Sequence, residues 1–133
     1  MIIGHNDAAP YNAVWNEDGL VGFVDWDMAG PTTCAEDLAW VAFSWVPLHA
    51  RQLVVDEGFT AFGERRTRLE AFLRAYGWNG TTNDVLELVR RRVLTQLEVI
   101  RSAAATGDET YQRMLTRGVD RTLQAALGEL GTV

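Results

Sequence analysis

The sequence predicts a mainly α domain that opens with a small β-hairpin, and three observations carry that expectation. Residues 1–33 are rich in Gly, Asp, Asn and Pro, with short apolar runs between them. Residues 34–130 place apolar side chains at helical spacing. Capping and helix-breaking residues stand between those stretches, where helices should start and stop. With 133 residues, no internal repeat and no low-complexity linker, the chain suits one domain over 1–133. A domain of that size buries roughly two-thirds of its unfolded surface.

In order along the chain, His5 to Asn12 reads as a loop, because Pro10 disfavours a helix or a central strand there. Ala13-Val14-Trp15 and Leu20 to Val24 are strand-like, and Asn16-Glu17-Asp18-Gly19 between them has the composition of a hairpin turn. Cys34 to Val46 carries Leu38, Val41, Ala42 and Trp45 on a helical stripe that Pro47 ends. A weaker segment spans 48–62. Arg65 to Tyr76 aligns Leu69, Phe72, Leu73 and Tyr76, with Gly77 as its stop. Thr81 to Asp84 caps a long helix whose stripe runs from Val85 through Val89, Val93 and Leu97 to Ile100. A last helix is expected over 108–130. Arg90-Arg91-Arg92 reads as a solvated face beside Glu87.

Composition removes several function classes. Twelve basic against eighteen acidic residues give a net charge of −6, which offers no diffuse attraction for nucleic acid or an anionic membrane. The charge favours a cationic small molecule instead. Every basic residue is Arg, and there is no Lys. Cys34 is the sole cysteine, so an intramolecular disulfide or cysteine-cluster metal site is impossible, and a small buried hydrophobe is expected there. No signal peptide and no membrane span is read, which makes the cytoplasm the expected location.

The chemistry concentrates in His5-Asn6-Asp7-Ala8-Ala9-Pro10-Tyr11-Asn12 and, beyond the hairpin, Asp25-Trp26-Asp27. Asp7 and Asn12 share a loop, and a hairpin that folds back would bring Asp25 to them. Phosphoryl transfer needs such a group: a carboxylate beside the attacking hydroxyl, and hard oxygen ligands that hold Mg²⁺ against the phosphates.

The pattern H-x-D-x-x-P-x-N, a strand ending in D-W-D and then Glu36-Asp37-Leu38-Ala39 resembles the aminoglycoside phosphotransferase and choline kinase group, which has the protein-kinase-like fold. The resemblance covers residues 2–45 by motif. It implies that Asp7 is the catalytic base, that Asn12 and Asp25 are Mg²⁺ ligands, and that His5 and Asp37 support the site. It also implies Mg²⁺ and ATP as cofactor and co-substrate. Asn6 stands where protein kinases carry Arg, and Trp26-Asp27 replaces Phe-Gly; both departures suit the small-molecule branch.

The fold so implied is the C-terminal lobe of that architecture, with the N-terminal lobe absent. Neither the Gly-rich loop nor the strand Lys of such a lobe occurs in this sequence. Little activity is therefore expected from the chain alone, and self-association is expected through an exposed apolar face. The competing class is a non-catalytic helical remnant or interaction module. The acceptor is expected to be a small hydroxylated molecule, such as an aminoglycoside or other amino alcohol. Asp27, Glu98, Asp108 and Glu109 could meet a polycation, and Trp40, Trp45 and Trp78 could cage an ammonium or simply fill the core. His49 has no assigned role.

Overall fold

A computed structural model describes residues 1–133. The chain is mainly helical, with two small antiparallel sheets at its N-terminal end. Strand β1 (Ile2–Gly4) pairs with β4 (Gly30–Thr32), Ile2 opposite Thr32 and Gly4 opposite Gly30. Between them lies the hairpin of β2 (Ala13–Asn16) and β3 (Gly19–Phe23), with a bulge between Val14 and Trp15. The β1–β4 pair therefore closes the base of one excursion, residues 5–29. Gly4 makes that closure possible: a Cβ there would lie 2.4 Å from Thr32 Cγ2 and 3.0 Å from Asp37 Cγ.

Helix α1 (Cys34–Trp45) starts where the Thr33 hydroxyl accepts the Glu36 N–H at 3.1 Å, with Glu36 and Asp37 favourably placed in the first turn. The expected segment 48–62 shrinks to α2 (Arg51–Asp56), which ends before Gly58 at φ +87°. Helix α3 (Arg65–Tyr76) stops at Gly77, left-handed at φ +85°, whose N–H returns to the Leu73 carbonyl. Helix α4 (Thr82–Ala105) begins with a capping box: Thr81 and Asp84 each accept the other's backbone N–H. The Asp84 carboxyl is held below its usual range by the Thr81 backbone and hydroxyl donors.

The expected last helix is two helices, α5 (Glu109–Thr116) and α6 (Val119–Leu130). Gly118 at φ +78° breaks the run, and a left-handed residue cannot continue a right-handed helix. Helix α4 runs through the middle and packs against α1, α5 and α6. The core lies between them, around Phe43, Leu69, Val89, Val93, Ile100 and Leu127.

Two expectations about single residues are corrected. Cys34 is exposed, because the first turn of α1 faces outward at that point. Arg92 is not part of a solvated face: its guanidinium lies 5.0 Å from the Trp40 ring and donates to the Asn6 carbonyl at 3.4 Å. No ion pair joins the Arg run to Glu87; the two in the structure are Arg66–Glu70 and Arg101–Asp120. No helix is long and apolar enough to cross a membrane.

Candidate active site

All three residues singled out for chemistry sit on the closed excursion: Asp7 after β1, Asn12 before β2 and Asp25 after β3. The excursion is cross-linked internally. The Val24 N–H donates to the Asn12 carbonyl at 2.9 Å, which carries the hairpin pairing beyond β2 and sets Asp25 beside Asn12 in the chain's path. His5, almost fully buried, donates from Nε2 to the Val24 carbonyl at 2.9 Å and accepts the Asp7 N–H on Nδ1 at 3.2 Å. An imidazole that donates from one nitrogen and accepts on the other is neutral, in its Nε2–H tautomer. Its ring packs against Trp26, with centroids 4.5 Å apart.

Helix α1 fixes the loop from the other side. Asp37 Oδ1 accepts the Asn6 N–H at 2.9 Å, and Trp45 Nε1 donates to the Ala8 carbonyl at 2.8 Å. Asn6 and Asp25 are both left-handed, at φ +63° and +60°. Asn and Asp tolerate that region better than other side chains do, and such conformations persist where surrounding contacts impose them.

Asp7 is half-buried, and its carboxylate is held by three donors. Oδ1 accepts from Trp40 Nε1 at 2.9 Å and from the Tyr11 hydroxyl; Oδ2 accepts from Asn12 Nδ2 at 3.1 Å. A carboxylate offers about four acceptor positions, so one stays open for an incoming hydroxyl proton. Asn12 Nδ2 also donates to the Asp7 carbonyl at 2.9 Å. Two acceptors on that nitrogen fix the amide orientation and leave its Oδ1 turned elsewhere.

Sequence reasoning gave Tyr11 no role and weighed Trp40 only for an ammonium cage or the core, not as a donor to Asp7. The Tyr11 ring lies at the surface with its hydroxyl tucked against Asp7. Loss of water around the hydroxyl, then the hydrogen bond to Asp7 and the charges of Asp7 and Asp25, hold the phenol above its usual range. It stays a donor. Trp40 stands one helical turn beyond Asp37, so one side of α1 serves both; that spacing was the available signal.

Asn12 and Asp25 carry oxygens of the kind that Mg²⁺ takes. No group of three or more His, Cys, Asp and Glu is clustered in the chain, so no all-protein cage exists. One amide oxygen and the exposed Asp25 carboxylate, which neither ion pair engages, are hard ligands that leave positions for water and phosphate.

A pocket of about 370 Å³ opens beside Asp7 and Tyr11 and runs between α1, α4, α5 and α6. Trp40, Ile100, Tyr111, Met114 and Leu123 form its apolar wall. Of the three tryptophans considered for an ammonium cage, only Trp40 lines it. Trp45 packs against Trp15 and Phe23, and Trp78 packs on the helical core. None of Asp27, Glu98, Asp108 and Glu109 lines it either.

A family model described as "Phosphotransferase enzyme family" matches residues 1–83. The trifolitoxin immunity protein of Rhizobium leguminosarum bv. trifolii is similar, 29% identical over 76 residues. That stretch is 57% of this chain and 29% of the relative, so the chain spans less than a third of the relative's length. No solved structure matches. With more than half of its residues inside the family model, the chain belongs to the phosphotransferase enzyme family.

Proposed function

We propose that the chain carries the catalytic side of a kinase-like phosphotransferase, moving the γ-phosphoryl group of ATP to a hydroxyl of a small molecule. One observation carries the reading. Asp7 lines the pocket with one acceptor position open, and the Asn12 amide nitrogen is committed to Asp7, which leaves the Asn12 amide oxygen without a donor. A carboxylate so placed takes the hydroxyl proton as the alcohol oxygen bonds to the γ-phosphorus. The bond from that phosphorus to the β–γ bridging oxygen breaks, and ADP leaves. Asn12 and Asp25 would hold Mg²⁺, which when bound offsets phosphate charge. His5 and Asp37 position the loop and touch neither substrate. The family match over residues 1–83 favours reading the hairpin and α1 to α3 as part of a kinase-like C-terminal lobe, working in the cytoplasm where ATP is supplied.

The chain alone is expected to turn over slowly, because three side chains do not fix the position of a triphosphate. Metal binding therefore gives the cleaner test. Mn²⁺ should broaden the backbone resonances around Asn12 and Asp25, and Asp25→Asn should abolish that broadening. Asp7→Asn should keep the fold and lower whatever transfer is measured by about 10²–10⁴-fold. Broadening elsewhere, or transfer indifferent to Asp7→Asn, would sink the reading.

A second reading, an interaction module that pairs with its own copy, has one observation in its favour. Ile3, Trp15, Val21, Val24 and Trp26 are all exposed on the strand end. Light scattering should show a concentration-dependent dimer, weakened by Trp15→Ser with Val21→Ser. A strictly monomeric profile at high concentration would count against it.

A further inference from the structure

The pocket beside Asp7 has a charge pattern that discriminates among alcohols. Its volume of about 370 Å³ suits a small molecule, and nine of its fifteen lining residues are hydrophobic. Only two of the fifteen carry a full charge at neutral pH: Asp7 and Arg117. His49 also lines it but is neutral, since burial pushes its pKa down to about 4. Arg117 belongs to neither ion pair. It stands at the end of α5, one residue before the left-handed Gly118, and the chain reversal there sets it at the pocket edge.

A polycationic sugar fits this arrangement poorly. Its ammonium groups would meet apolar walls and a like charge at Arg117. Its one carboxylate partner would be Asp7, whose open acceptor position would then be taken by an ammonium. An ammonium set against those walls loses hydration with no carboxylate to replace it. An apolar body, by contrast, gains from the walls, and an anionic group gains a partner in Arg117.

We propose that the acceptor is a small alcohol with an apolar, preferably aromatic, body and a single anionic group that pairs with Arg117. What the alcohol does at Asp7 rests on the phosphotransfer reading; its selection by the pocket does not. The site thus opposes the cationic preference that the net charge and the family resemblance suggest.

The test is methyl and amide NMR of the 133-residue chain with three probes: 4-(hydroxymethyl)phenylacetate, its primary amide, and kanamycin. The acid should shift the Met114 methyl, Tyr111 and Trp40 indole resonances. Removing the charge, by the amide probe or by Arg117→Gln, should weaken binding about tenfold or more. The amide probe gives that comparison without any variant, should Arg117→Gln fold poorly. Kanamycin should leave the pocket resonances in place. Tighter binding of kanamycin, acid binding indifferent to charge removal, or no shift with any probe would each overturn the proposal. Mn²⁺ broadening is scored separately. Its loss with acid binding intact sinks phosphotransfer alone, and the reverse sinks this proposal alone.

Discussion

Phe43→Ala is expected to destabilise the fold by about 3–5 kcal/mol, the usual range for deleting a buried aromatic ring. Phe43 is fully buried at the centre of the helical core. Its ring packs against Trp40, centroids 5.3 Å apart, and against His49 at 3.9 Å. Neither neighbour can collapse freely into the void, because Trp40 is tied to Asp7 by its indole N–H and to Arg92 through its ring face. The cavity term should therefore persist. Against a total stability of roughly 5–15 kcal/mol, the loss is a large share. For a chain of this length the melting midpoint should drop by about 10–20 °C. Thermal melts followed by circular dichroism at 222 nm check this, with Phe43→Leu expected to lose much less. A fall under about 5 °C would show that the α1–α4 seam is looser than its packing indicates.

The same substitution connects core and site. Without the Phe43 ring, Trp40 keeps Asp7 on its N–H and Arg92 on its ring face but loses its core-side contact, so one of the three donors on the carboxylate is held less firmly. A core change then reaches the chemistry through one side chain. Trp40 indole exchange with solvent should quicken in Phe43→Ala even well below its melting point.

Which elements the sequence disclosed follows from how local their causes are. Helices α1, α3 and α4 were legible because Pro47, Gly77 and the Thr81–Asp84 pair set an end of each within a few residues. The hairpin was legible from its turn. The break in the last helix is masked in the sequence, because Leu115, Val119 and Leu123 keep a four-residue apolar spacing across it; only Gly118, at φ +78°, marks the stop. Strands β1 and β4 are three residues each and pair across 28 positions, so no periodicity could reveal them. Arg92 looked like its neighbours in a charge run. Only the approach of α1 to α4 buries it against Trp40, where Glu36, Asp37 and Asp7 support a charge that burial disfavours.

The candidate site divides the same way. Asp7 and Asn12 are brought together by five residues of loop, a local cause that spacing discloses. Hairpin pairing, one step less local, runs on to Val24 opposite Asn12 and leaves Asp25 at the next position in the chain. Tyr11 and Trp40 complete the Asp7 environment through tertiary contact, and no motif required either. The acceptor pocket is further still from the motif, since Tyr111 and Met114 of α5 and Arg117 just after it line the pocket from far along the chain. Motif spacing therefore spoke to the reaction and was silent on the acceptor.

Stability should fall with acid through His49, and the sign follows from its environment. The imidazole is stacked on Phe43, and its Nδ1 is buried without a hydrogen-bond partner. Burial is the cause that lowers its pKa from 6.5 to about 4. The unfolded chain thus binds a proton at His49 near pH 6.5, while the folded chain resists until about pH 4. The contribution is fully present above pH 6.5 and is lost progressively as pH falls toward 4, a total of about 3 kcal/mol. Carboxylates titrate in the lower part of this window, so the difference between wild type and His49→Phe isolates the histidine. Urea midpoints should show wild type losing about 3 kcal/mol relative to the variant between pH 7 and pH 4. Parallel pH profiles would mean that the ring reaches solvent and is protonated in place. The direction also bears on the pocket. A charged His49 would add a second cation beside Arg117. Burial keeps the ring neutral instead, so Arg117 is the one cationic side chain that lines the pocket.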